Sequence, residues 1–102
     1  MQIKTNRKNN ILYIRLTGEL DEHSAVEARR TADLLAEDCV GVDRTVFDLG
    51  EVSFMDSTGI GFLIGRYKKF RRLGVPVYIT NTPPTTDKIL MMSGIYTLIP
   101  KI

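Results

Sequence analysis

An alternation constrains this sequence most. Short β-branched and aromatic runs are separated by longer stretches with helical spacing. Ile11-Leu12-Tyr13-Ile14-Arg15-Leu16 reads as a strand ending at Gly18, and Thr45-Val46-Phe47-Asp48-Leu49 reads as a short, buried parallel one. Val75 to Thr80 is a third, with Pro76 tolerated near its start. Strands joined through helices must run parallel, with right-handed crossovers. Ahead of them, Gln2 to Arg7 alternates weakly, and Lys8-Asn9-Asn10 supplies turn chemistry. A hairpin therefore opens the sheet, and the sheet is mixed.

The helical segments carry their own punctuation. Ser24-Ala25-Val26-Glu27 has the capping-box pattern and predicts a helix to about Glu37, with Ala25, Ala28, Ala32 and Leu35 on one face. A second helix is expected from near Ser57 to about Leu73. Ile60, Leu63, Ile64, Tyr67 and Phe70 share a face, Gly74 is placed as C′, and Pro76 follows. Arg66, Lys68, Lys69, Arg71 and Arg72 crowd its last turns and read as a solvated face complementing the helix dipole. Pro83-Pro84 opens a third helix carrying Ile89, Leu90 and Met92 and stopping at Gly94; Met91 and Met92 read as core filling. Tyr96 to Ile99 is expected to be a last strand. The order is β-β-α-β-α-β-α-β.

A chain of 102 residues with this composition is expected to form a single domain, residues 1–102. Fourteen basic against twelve acidic residues leave +2, too weak a balance to imply a nucleic acid or an anionic membrane as partner. The lone Cys39 and lone His23 exclude an internal disulfide and a Cys/His zinc site. The start of the chain lacks the apolar core of a signal peptide, and no apolar run is long enough to span a bilayer. A cytoplasmic protein with no metal and no cofactor is expected.

Functional loops of such sheets gather at the carboxyl ends of the parallel strands. Three qualify here: 18–23, 50–57 and the one beginning at Asn81. They are expected to bring Asp21, Asp56, Ser57 and Asn81 toward one edge. Asp56-Ser57-Thr58-Gly59-Ile60-Gly61 stands out. Asp56 or Ser57 serves as N-cap, but Gly59 and Gly61 cost a helix about 1 kcal/mol each against alanine. Ser57, Gly61 and Gly65 align as a bare stripe, and Phe62, roughly opposite the apolar face, is expected to be exposed beside it. A docking surface is one reading; packing under a neighbouring loop is the other.

Enzyme readings fit less well. The glycine spacing G-x-G-x-x-x-G lies inside the helix rather than in the turn before it. A Ser57/His23/Asp21 triad lacks the G-x-S-x-G elbow. Glu19, Asp21 and Asp56 would make a carboxylate-only site with nothing to fix its geometry. A phosphoaspartate receiver could use Asp48 with Glu19 and Asp21, but Lys88 falls in the third helix rather than at a strand end. Phosphorylation of Ser57 suits the segment: the phosphate meets a helix N-terminus and adds about −1.5 to −2 charge beside Asp56. Two like unit charges about 6 Å apart, at an effective dielectric of about 20, repel by about 3 kcal/mol. A partner carboxylate facing Ser57 then loses roughly a hundredfold in affinity.

Leu16-Thr17-Gly18-Glu19-Leu20-Asp21 resembles the first motif of STAS domains, the anti-sigma factor antagonists. Phe54-Met55-Asp56-Ser57-Thr58-Gly59-Ile60-Gly61 resembles their phosphorylation loop. Gly65-Arg66-Tyr67-Lys68 and Met92-Ser93-Gly94-Ile95 look closest to the sporulation branch, whose members usually carry one more helix after the point where this chain ends. The resemblance implies an α/β STAS fold, a mixed four- to five-stranded sheet with helices mainly on one face. It implies no catalysis of its own. It implies an anti-sigma factor serine kinase as partner, a serine phosphatase that resets the switch, and Ser57 as the phosphorylated residue. Asp21, Asp56, Thr58, Gly59, Gly61 and Phe62 would then shape and line the partner-binding surface.

Overall fold

The computed structural model describes residues 1–37 and 41–102, and side chains outside 35–40. Four strands form one sheet in sequence order: β1 (Gln2–Lys8), β2 (Ile11–Leu20), β3 (Arg44–Met55) and β4 (Val77–Thr80). β1 is antiparallel to β2, while β2–β3 and β3–β4 are parallel. The helices are α1 (Glu22–Glu37), α2 (Ser57–Arg72) and α3 (Pro84–Ser93). The opening hairpin turns on Asn9 and Asn10, both at positive φ (52° and 61°) between the paired residues Lys8 and Ile11. Mirror-image two-residue turns of this kind match the twist of the strands they join.

Strand alternation decides where the helices lie. Leu12, Ile14 and Leu16 of β2, Phe47 and Leu49 of β3 and Ile79 of β4 are buried on one face. Against them pack Ala28 and Ala32 of α1, Phe62, Leu63 and Phe70 of α2, and Leu90 of α3. Phe47 is the hub, meeting the edges of Phe62 and Phe70 at centroid distances of 6.4 Å. Tyr13 and Arg15 of β2 point to the opposite face, which none of the described helices covers.

Several expectations change. β3 does not stop at Leu49 but runs to Met55. Its last residues read as loop because past Asp48 the strand has β2 on one side only, so Glu51, Ser53 and Phe54 meet water. The buried face of α2 is Gly59, Phe62, Leu63, Arg66 and Phe70, so Phe62 is not exposed. The helix is rolled toward Phe62 because Gly59 has no side chain to hold it off. A Cβ there would lie 2.5 Å from Met55 Cγ and 3.1 Å from the Leu20 carbonyl oxygen. Arg66 is likewise not part of a solvated face. Its Nε lies 2.9 Å from Asp33 Oδ1 of α1 and its guanidinium stacks over Phe62 at 5.2 Å. Burial pushes the Arg66 pKa down, and the Asp33 charge opposes that shift.

Tyr96–Ile99 is not a strand. Ile95–Thr97 forms a 3-10 turn, burying Ile95 and Ile99, and a single parallel bridge joins Ile79 to Lys101 instead. Asp87 fixes this path. One of its oxygens accepts from the Tyr96 hydroxyl at 2.6 Å, Lys101 Nζ at 2.9 Å and Thr82 Oγ1 at 3.1 Å. Met91 and Met92, expected in the core, are exposed on the outer side of α3. Cys39 and the Leu35 side chain lie outside the described residues.

Candidate functional site: two helix starts at one edge of the sheet

Leu20 and Met55 are register partners at the ends of β2 and β3. The next residue of each strand is an aspartate, Asp21 and Asp56, and each begins a helix. The two starts therefore sit side by side, one strand spacing apart. The Asp56 N–H donates to the Leu20 carbonyl at 3.5 Å, and the close approach at Gly59 brings α2 down on the same carbonyl.

Asp21 caps α1. Its Oδ1 accepts from the backbone N–H groups of His23 (3.0 Å) and Ser24 (3.1 Å). Ser24 returns the contact, its Oγ accepting from the Asp21 N–H at 3.0 Å and donating to the Glu19 carbonyl at 2.8 Å. The capping box is thus Asp21 with Ser24, not Ser24 with Glu27, and the cap lies three residues earlier than expected. These donors, the Ser24 N–H foremost, hold the Asp21 carboxyl below its ordinary pKa; partial desolvation opposes them.

Asp56 caps α2, its Oδ1 accepting from the N–H groups of Thr58 (2.9 Å) and Gly59 (3.3 Å). The cap being Asp56, the Ser57 hydroxyl is spared. Ser57 is exposed at the first helical position, and among the described residues no hydrogen bond engages its side chain. Thr58 is half-buried and Gly61 exposed, while Gly59 and Phe62 lie inside. Gly61 and Gly65 have nothing within 4 Å of where a Cβ would stand, so no loop among the described residues covers those two positions.

The edge thus gathers Asp21, Asp56, Ser57, Thr58 and Gly61. Asn81 is not there. It follows β4 directly, level with Gly50, whereas β3 runs on to Met55 before Asp56. Phe62 leaves the surface, and Phe54, one residue before Met55, is 49% exposed. Strand alternation carried past Leu49 is no guide to it, because two register shifts between β2 and β3 leave Val52 and Met55 buried and Glu51 and Ser53 exposed. Among the described residues no hydrogen bond joins Ser57 to His23 or Asp21, and Asp48 lies in mid-strand, ion-paired to Arg15 at 3.3 Å.

Fold and edge define a mixed-sheet α/β domain with two parallel β-α-β units, whose helices α1 and α2 start together at the carboxyl end of β2 and β3. The chain belongs to the STAS domain family, whose model matches residues 2–102. It is 31% identical over 102 residues to an anti-sigma F factor antagonist of Paenibacillus polymyxa, covering 98% of this chain and 85% of that relative. The fold superposes on the unphosphorylated form of the anti-sigma factor antagonist SpoIIAA with a TM-score of 0.79 at 24% identity, covering 99% and 88% of the two chains. For the phosphorylated form of the Bacillus cell fate determinant SpoIIAA the values are 0.70, 24%, 99% and 91%.

Proposed function

We propose that this chain acts as a single STAS domain and as an anti-sigma factor antagonist. Its unmodified form docks on an anti-sigma factor that is also a serine kinase, and sigma factor is released. The docking surface is the edge at Asp21, Asp56, Ser57, Thr58 and Gly61. Phosphorylation of Ser57 ends the docking, and a serine phosphatase restores it. The chain need not be an enzyme in this scheme, since the kinase brings ATP and Mg²⁺. All of these partners would meet it in the cytoplasm.

The observation that carries the reading is the free Ser57 hydroxyl beside a cap that does not need it. Because Asp56 already satisfies Thr58 and Gly59, a phosphate on Ser57 has no capping duty to take over. Its charge is added next to Asp56 and is presented outward. The fold accepts it and a partner carboxylate does not. The names of the relatives, and the existence of SpoIIAA in both phosphorylation states, support the same scheme.

The experiment incubates the protein with ATP and the candidate anti-sigma kinase encoded in the same genome, then maps phosphate by mass spectrometry. Phosphate confined to Ser57, and absent from Ser57→Ala, is the expected result. No phosphate, with the kinase active on another substrate, overturns the switch at this pairing.

A further inference from the structure

The sheet face away from the helices carries a charge pattern that the Ser57 edge does not explain. Its residues form cross-strand rows. Lys4 faces Arg15, which faces Asp48. Asn6 faces Tyr13, which faces Val46, which faces Tyr78. Lys8 faces Ile11, which faces Arg44. Two cationic rows thus flank one aromatic row. Lys4, Lys8, Arg15 and Arg44 against Asp48 give 4 − 1 = +3, more than the +2 of the whole chain. Glu51, opposite Thr17, stands beyond these rows toward the Ser57 end.

The single carboxylate is already engaged. Asp48 Oδ2 is 3.3 Å from both Arg15 Nε and Nη2, and its Oδ1 accepts the Gly50 N–H at 3.0 Å. Arg44 lies over the Tyr78 ring at 6.0 Å. Lys4 and Lys8 are exposed, and among the described residues neither makes a hydrogen bond or ion pair. Lys4 also stands directly opposite Arg15, a like-charge cross-strand pair that costs the sheet stability. A depression of about 550 Å³ lies between them, lined by Lys4, Asn6, Lys8, Tyr13, Arg15 and Asp48.

The geometry points to an extended acidic segment of a protein partner, bound across this face at a surface separate from the Ser57 edge. Lys4 and Lys8 are four residues apart on one strand, about 13–14 Å, and an extended acidic peptide repeats carboxylates on one side every ~7 Å. Its carboxylates would find Lys4, Lys8 and Arg44, with the Asn6 amide and the Tyr13 hydroxyl as further donors. A single-stranded nucleic acid fits less well. Base stacking needs open aromatic faces, and Arg44 takes that of Tyr78, leaving Tyr13 alone. The inference does not rest on the phosphorylation reading, and Ser57 variants separate the two.

The test is fluorescence anisotropy of a fluorescein-labelled twelve-residue peptide of alternating Glu and Ser, with a Gln-Ser peptide as control. Saturable binding of the acidic peptide alone is expected, weakening as salt rises. The double change Lys4→Glu, Lys8→Glu should raise its Kd about tenfold or more, while Ser57→Asp leaves it unaltered. Both lysines are exposed on an edge strand; Lys4→Gln, Lys8→Gln should give an intermediate loss if charge reversal harms folding. Equal binding of the Gln-Ser peptide, or no effect of either double change, overturns the proposal. So does tighter binding of a labelled oligothymidylate at the same face, which would make the ligand a nucleic acid. Self-association of the chain that disappears with Lys4→Glu, Lys8→Glu would make the occupant a second copy, and overturns it as well.

Discussion

Asp21 and Asp56 begin two helices from paired positions on adjacent strands, yet the serines that follow them have opposite fates. Ser24 is tied down by bonds to the Asp21 N–H and the Glu19 carbonyl. Ser57 leaves capping to Asp56 and keeps its hydroxyl in solvent. Position relative to the cap decides this. A residue three places on reaches back to the cap's own N–H, whereas a residue one place on points outward. Two starts with similar residues thus give one structural clamp and one chemically available group.

The largest effect expected from breaking this contrast is on binding. Ser57→Asp should weaken docking on the anti-sigma factor, approaching the roughly hundredfold, or about 3 kcal/mol, expected of a full phosphate. Its melting temperature should stay near that of the parent chain. Titration calorimetry beside thermal melts checks both, and a large loss of stability would mean that Ser57 is structural after all. Next comes Gly59→Ala. Its new methyl meets Met55 and the Leu20 carbonyl, so a destabilisation of about 1–3 kcal/mol is expected in urea melts. Asp56→Ala should cost about 1 kcal/mol through the lost cap. Gly61→Ala goes the other way. With open space over it, alanine should stabilise α2 by up to about 1 kcal/mol, while lowering partner affinity if the stripe is part of the docking surface.

The smallest effect is with pH. The Asp21 carboxyl has its pKa lowered on folding, from an ordinary value of 3.8. Its contribution is therefore complete above that value and is lost as pH falls through the lower folded one. Asp21→Asn keeps a capping side chain but should flatten this part of an acid melting series. A series unchanged by the substitution would show that the hydrogen bonds at Asp21 do not favour its charged form.

Much of this was legible in the residues. The β-branched and aromatic run gave β2, the run before Asn81 gave β4 though two residues too long at its start, Asn9-Asn10 gave the turn, and Pro83-Pro84 with Gly94 gave α3 within a residue. The Asp-Ser-Thr-Gly segment and the Gly-Glu-Leu-Asp before it located the edge. What was hidden depended on tertiary partners. The roll of α2 turns on a carbonyl of another strand at Gly59. Arg66 looks like any surface cation until Asp33 of α1 accompanies it. Asp87 routes the last residues away from a strand through contacts 9 and 14 residues distant. The length of β3 past Asp48 was disguised by polar residues that suit a strand with one side free.

That one-sided stretch also has a consequence for exchange. Residues 45–48 of β3 are held by neighbours on both sides, whereas residues 51–55 are laddered to β2 alone. Amide protons of the first group should exchange only with the deepest openings, and some of those in the second with shallow, frequent ones. Gly50 marks the boundary between a slow half and a fast half. The strand end that delivers Asp56 and Ser57 is expected to lie on the faster-exchanging side, although Val52 and Met55 tie it into the same buried core as Phe47.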